Sequence, residues 1–297
     1  MQKTSSALLL FGCVLVSMAA GMAINLLFSQ FFGLTFQEPT SSISPTQADH
    51  WYPRMFLSGL GHVFTFLIPA IFFWYFFEQN TWKDFSVTSL KNVSLVLIPL
   101  VIIIVLIPAN QQIIEWNQQI HLPGIFTKLE TWMRVQEQER TIMIQRLLQI
   151  DSLSKLLVAF TIFGVVGPFG EEVFFRGVLQ TKLRDWGMNP GVSIWVAAVI
   201  FSLIHFQFYG FFPRLFLGAL FGYLFLWSGN IWVPILAHVV NNGLFVLTAF
   251  SHQNWPFLGH FLESSTSGWI WPILSLILAA VMLHAFKTQN FSTKPSA

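Results

Sequence analysis

Apolar residues arrive in this chain as unbroken runs, each close to the roughly 20 residues that a helix needs to cross a bilayer. Eight such runs can be read, over 6–28, 54–77, 92–109, 153–184, 191–209, 213–228, 231–250 and 268–286. Continuous rather than alternating apolarity argues against an outer-membrane barrel. Charged residues are only 9% of the chain and hydrophobic residues 54%, whereas a soluble domain carries about 25% charged residues. So little charge could not keep a water-facing surface soluble. The expected fold class is therefore all-α, a polytopic membrane protein of about eight transmembrane helices. A net charge of +2 with no basic cluster argues against a nucleic-acid partner, and the single cysteine, Cys13, excludes a disulfide framework.

The first run is too long for the apolar region of a signal peptide. Gly12 and Cys13 lie early inside it, which reads as the interior of a span and not as a lipid-attachment site. The fourth run exceeds one crossing, and Pro168 and Gly170 predict a kink within it. A polar loop rich in Ser, Thr and Pro occupies 37–49, and 110–151 is the longest stretch between spans. In that stretch Phe126, Leu129, Met133, Met143 and Leu147 predict an amphipathic helix. It would either lie on the membrane surface or act as a lid or substrate-docking element. The organisation expected is three N-terminal spans over 1–110, an interfacial segment over 111–152, a core over 153–250, and a last span with a polar tail over 251–297.

Ionisable groups inside a span are costly and mark function by default. Three spans concentrate them: Glu171, Glu172 and Arg176 in the fourth, His205 in the fifth, and His238, Asn241 and Asn242 in the seventh. Glu172 and Arg176 stand i,i+4 with the acid first, the favourable order for an ion pair. Glu171 is then turned about 100° away, free for another role. His238 and Asn242 share a helix face, while Asn241 points elsewhere. Counted along straight helices from one membrane face, Glu171 and His205 both lie roughly 20 Å deep and Asn242 roughly 18 Å. One site between spans four, five and seven could hold Glu171, His205, His238 and Asn242. Such a set suits hydrolysis. A carboxylate with an imidazole can deprotonate water, and an imidazole with an amide can stabilise an oxyanion. Two histidines and a glutamate are equally the ligand set of a catalytic zinc. Spacing alone does not choose between these.

The sequences Glu171-Glu172-Val-Phe-Phe-Arg176, Phe201-Ser-Leu-Ile-His205 and His238-Val-Val-Asn-Asn242 resemble, in that order, the three motifs of the CAAX protease and bacteriocin-processing (CPBP, or Abi) family of intramembrane endopeptidases. The resemblance runs over about 153–250; no motif ties the first three spans to it. It implies that Glu171 and His205 activate the attacking water and that His238 and Asn242 line the oxyanion site. Glu172, Arg176 and Phe201 would be supporting residues. A classification of the family as metalloproteases would instead make Glu171, His205 and His238 ligands of a zinc ion; no other cofactor is implied. The implied partners are the lipid bilayer and membrane-associated protein or peptide substrates, CAAX-type C-termini among them. The family's usual opening toward the cytosol would put 110–151 inside the cell. The Lys and Arg residues divide evenly between alternate loops and set no orientation of their own. A prokaryotic inner membrane is the expected location.

Two other functions compete: a non-catalytic immunity or scaffold protein of the same family, and an ion- or proton-coupled transporter. The intact triple of motifs argues against the first, and the lack of paired repeats with broken helices against the second. Gly218 and Gly222 form a small-xxx-small pattern, read as helix packing. His62, without a partner at matched spacing, is also read as packing. His50 and His121 fall in loops, His252, His260 and His284 near span ends, and most of the tryptophans are expected at the membrane interfaces.

Overall fold

The computed structural model describes residues 3–33, 50–86, 89–90, 92–255 and 268–291; the polar loop 37–49 and His260 lie outside them. Among the described residues the chain is all-helical, with no strand beyond one isolated bridge between Ser86 and Asn230. In chain order the helices are α1 (Lys3–Phe31), α2 (Trp51–Phe77), α3 (Ser94–Val105), α4 (Ile107–Gln118), α5 (Thr127–Leu147), α6 (Leu153–Asp185), α7 (Pro190–Leu203), α8 (Phe211–Ser228), α9 (Trp232–Asn254) and α10 (Ile270–Phe291). Six of them, α1, α2, α6, α8 with its preceding turn, α9 and α10, are long and apolar enough to cross a membrane, and the bent pair α3–α4 makes up to seven. Their apolar side chains face outward as well as inward: along α10, Ile273, Leu274, Ile277, Leu278 and Val281 are each at least half exposed. In an integral multi-pass membrane protein that surface meets lipid.

Two of the eight expected spans take a different form. The third runs on past 109 and bends by 46° between Val105 and Ile107. Pro108 accounts for the bend, because its ring blocks the turn before it and it has no N–H to close the helical ladder. The fifth, expected over 191–209, ends at Leu203 after 14 residues, about 21 Å of helix. Phe206 takes φ of +50° in the following turn, a left-handed conformation that a helix cannot absorb. At Pro168 the helix continues: a π turn over Phe160–Val166, closed by the Gly167 N–H on the Ile162 carbonyl, leads into Gly167–Glu172, and a second π turn follows over Val173–Gln180. A widened turn accommodates a proline without breaking the helix, and such turns recur at functional sites.

The chain forms two compact units, and the division falls inside α6, between Phe174 and Phe175, and inside α9, between Asn241 and Asn242. In the first unit, residues 1–82, 141–174 and 242–262, the core gathers Trp51, Met55, Leu147, Ile150, Ala159, Val246 and Phe250. The buried Trp51 indole donates to the Leu147 carbonyl at 3.0 Å, which ties α2 to the end of α5. In the second unit, residues 83–140, 175–241 and 263–297, Ile102 and Ile103 of α3, Phe221 and Leu224 of α8, Val233 and Ala237 of α9 and Phe286 of α10 form one core. Ile194 and Ala198 of α7 pack on Leu215 and Ala219 of α8 in another.

The amphipathic helix expected within 110–151 is α5. Leu129 and Met143 are exposed on it and Leu147 is buried. Its first turn is pinned by polar contacts. Glu130 accepts from Arg134 at 2.7 Å and from the Leu122 amide at 2.9 Å, and lies 3.0 Å from His121 Nδ1. The Arg134 hydrogen bond is the main reason the Glu130 carboxyl is held down to about 2, with the Leu122 amide and His121 adding to it. The Arg134 guanidinium also lies over the Tyr209 ring, 4.5 Å from its centroid, and Glu137 accepts from the Tyr209 amide.

Candidate functional site

The first unit carries Glu171, Glu172 and Asn242. Both carboxylates are buried, Glu171 at 4% exposure and Glu172 at 0%, within a span that is apolar on average. What brings partners to Glu171 is a close approach of α2 and α6 at positions that lack side chains. A Cβ at Gly59 would stand 3.3 Å from Ile162, and one at Gly170 3.7 Å from the backbone of Leu67. One turn before Glu171, Gly167 lies against the edge of the His62 ring, with Cε1 4.0 Å from where its Cβ would be. His62 Nδ1 consequently stands 3.6 Å from Glu171 Oε1. The reading of His62 as packing is thus incomplete: its ring does lie near Phe66, with 5.9 Å between centroids, but its polar edge is turned to the first motif carboxylate. No sequence spacing links residues so far apart on separate spans. The available signal was a histidine inside an apolar run.

Asn242 donates from Nδ2 to the Phe163 carbonyl at 3.1 Å, in the π turn of α6. The contact is possible because Gly243 lets Phe160 in: a Cβ there would be 2.8 Å from that ring.

The second unit carries Arg176, Phe201, His205 and His238, and Phe201 is its hub. Its ring lies 5.0 Å from the His205 ring, 6.1 Å from His238, 5.1 Å from Phe175 and 5.1 Å from the Arg176 guanidinium carbon. His238 is buried and stacks on Phe221 at 4.7 Å. His205 lies in the turn after α7, where the last carbonyls of the helix lose their partners. Its Nδ1 is 2.7 Å from the Phe201 carbonyl oxygen. A carbonyl can only accept, so this bond assigns the proton to Nδ1 and leaves the Nε2 of the neutral ring with its lone pair. In this way the Phe-x-x-x-His spacing sets the tautomer of its own histidine.

Arg176, 1% exposed, donates from Nη2 to the Gly218 carbonyl at 2.8 Å. One turn on, Gln180 donates to the Gly222 carbonyl at 3.2 Å. The two glycines therefore do more than pack. A Cβ at Gly218 would be 3.2 Å from Ala198 and Phe201, and one at Gly222 2.8 Å from Ile194, so bare backbone is what lets α8 offer its carbonyls to α6. Gln180 was not singled out from sequence, because its role depends on matching i,i+4 steps on two separate helices.

Among the described residues, no three His, Cys, Asp or Glu side chains converge into a group that could hold a metal ion.

Comparison with known proteins agrees with the motifs. Residues 153–244 match the family described as type II CAAX prenyl endopeptidase Rce1-like. Two proteins of Bacillus subtilis (strain 168) are similar over parts of their length. The "Uncharacterized protein YpbD" is 33% identical over 81 residues, 26% of this chain and 38% of that protein. The "Putative membrane peptidase YdiL" is 26% identical over 98 residues, 33% of this chain and 40% of that protein. The chain thus spans about two-fifths of the length of either relative. No solved structure matches. The segment that matches the type II CAAX prenyl endopeptidase Rce1-like family, residues 153–244, contains all three motifs.

Proposed function

We propose that this chain is an intramembrane endopeptidase that hydrolyses peptide bonds of membrane-associated proteins or peptides, with CAAX-type C-terminal processing as the narrower form of that activity. The reading is carried by one observation: three ordered polar motifs, placed on or beside apolar helices, lie within the segment that matches a family of membrane endopeptidases. In the proposed reaction Glu171 takes a proton from water as the resulting hydroxide attacks the substrate carbonyl carbon, and His205 orients that water through the Nε2 lone pair. The ring of His238 and the side-chain amide of Asn242 donate to the oxygen that becomes negative. Collapse of this intermediate breaks the C–N bond, and the Glu171 proton leaves with the amine. Arg176 and Phe201 hold the histidine-bearing elements, and Glu172, buried next to Glu171 in sequence, is a supporting residue. The bacterial source of both relatives supports location in a prokaryotic inner membrane.

The test compares peptide termini in the membrane fraction of cells expressing wild type or Glu171→Gln at equal levels. Termini that depend on Glu171 should fall by about 100-fold or more, the scale set by loss of a general base. Identical termini in the two strains, with the variant folded and candidate substrates expressed, would favour a non-catalytic protein.

A further inference from the structure

We propose that His62 is a positioning residue for Glu171: its Nδ1–H holds Oε1 of that carboxylate, so that Oε2 faces the reacting water. The assignment rests on the proposed role of Glu171 and adds a fourth segment, α2, to a site read so far from three motifs.

Three observations converge on it. His62 Nδ1 is buried and makes no hydrogen bond, and the carboxylate oxygen 3.6 Å away belongs to a side chain that is itself buried. A buried polar nitrogen is rarely left unpaired, and that distance is one small side-chain rotation from a hydrogen bond. Hydrogen bonds of catalytic groups are often long without substrate and tighten when it binds. The approach is also built into the backbone. Gly59, Gly167 and Gly170 remove the side chains that would separate α2 from α6, and Gly59 and Gly167 fall within one turn of His62 and Glu171 respectively. Finally, a π turn begins immediately after His62 and another ends immediately before Gly167. Both helices are therefore irregular at the point of approach, as is common where a side chain must be aimed.

A carboxylate can present either of its two oxygens by rotating about its last side-chain bond. A donor on Oε1 fixes the plane of the group and leaves Oε2 to face the water. His62 would act in this way without touching substrate.

The geometry yields a test that separates the nitrogens. Asparagine places its amide nitrogen where Nδ1 stands, glutamine places it nearer Nε2, and phenylalanine keeps the ring against Phe66 and Gly167 with no donor. His62→Asn should retain Glu171-dependent cleavage within about threefold, and His62→Gln and His62→Phe should lose about tenfold or more, part of what a general base supplies. Equal rates in the asparagine and phenylalanine variants, at unchanged unfolding midpoints, would overturn the assignment. An independent readout uses full-length protein with 15N-labelled histidine in lipid nanodiscs, where the His62 signals are identified by their loss in His62→Asn. Nδ1 should be protonated, and Glu171→Met, which removes the acceptor at similar shape, should shift the proton toward Nε2. An unchanged His62 spectrum would refute the contact. If wild type shows no Glu171-dependent termini, the endopeptidase reading fails, and the 15N spectra still decide the contact.

Discussion

Replacing Arg176 by lysine keeps the charge and should nevertheless destabilise the second unit by about 3 kcal/mol. The guanidinium is 1% exposed. It donates to the Gly218 carbonyl at 2.8 Å and lies 5.1, 5.5 and 5.9 Å from the ring centroids of Phe201, Phe221 and Phe175. A hydrogen bond from a charged group contributes about 1.5–3 kcal/mol. Contacts of a desolvated cation with aromatic faces add about 0.5–2 kcal/mol each. Lysine brings a compact, strongly hydrated ammonium with no planar surface, so it loses most of the ring contacts and meets the dry surroundings at greater cost. About half of the summed interactions, or roughly 3 kcal/mol, is the expected net loss, because lysine keeps some packing through its stem. The assay is reversible unfolding of the purified protein in mixed micelles at rising SDS fraction, followed by the fluorescence of its 12 tryptophans. Arg184→Lys, at the exposed end of α6, is the control and should change stability by less than about 0.5 kcal/mol. If Arg176→Lys matched that control, the ring cage and the glycine acceptor would contribute nothing to stability, and the account of the second unit given above would be wrong.

Two further outcomes follow from particular contacts. Gly222→Val places a Cβ 2.8 Å from Ile194 and 2.9 Å from Gln180 Oε1 and should cost about 1–3 kcal/mol in the same assay; Gly12→Ala, with nothing within 4 Å, should be neutral, and equal effects would refute the close-packing account. Glu130 is held down to about 2, chiefly by Arg134. Its contribution to the α5 N-terminus should therefore be complete above its ordinary value of 4.5 and be lost as pH falls toward 2. A 13C carboxyl titration checks this: Arg134→Ala should move the midpoint up, and an unmoved midpoint would refute the cause assigned.

The all-helical membrane fold was legible because spanning helices are written in one dimension: an apolar run of sufficient length has few other uses. The polar motifs were legible for a related reason, since Glu171, His205 and His238 stand out against apolar neighbours whatever their tertiary partners. Where the reading fell short, the cause was local geometry or long range. Pro108 bends the third span, and the left-handed Phe206 ends the fifth early, which moves His205 from a helix interior into a turn. The 33-residue length of α6 was visible, but the π turns that carry it past Pro168 were not, because no residue type is specific to them. His62 and Gln180 were missed because each meets its partner on a helix far away in sequence, which no spacing along the chain records.

Arg176 and Gln180 are seated on oxygens that belong to the main chain, and this changes what genetics can see. A side-chain acceptor can be deleted by one codon; a carbonyl cannot. An alanine scan across α8 would register Gly218 and Gly222 through the bulk that it adds, and would be blind to the bonds that they accept. Only editing of the backbone itself, for instance a thioamide at either position, would weaken the acceptor and leave the packing in place. The two glycines thus act indirectly: each supplies an empty volume, and the chemistry next to it comes from atoms that every residue has.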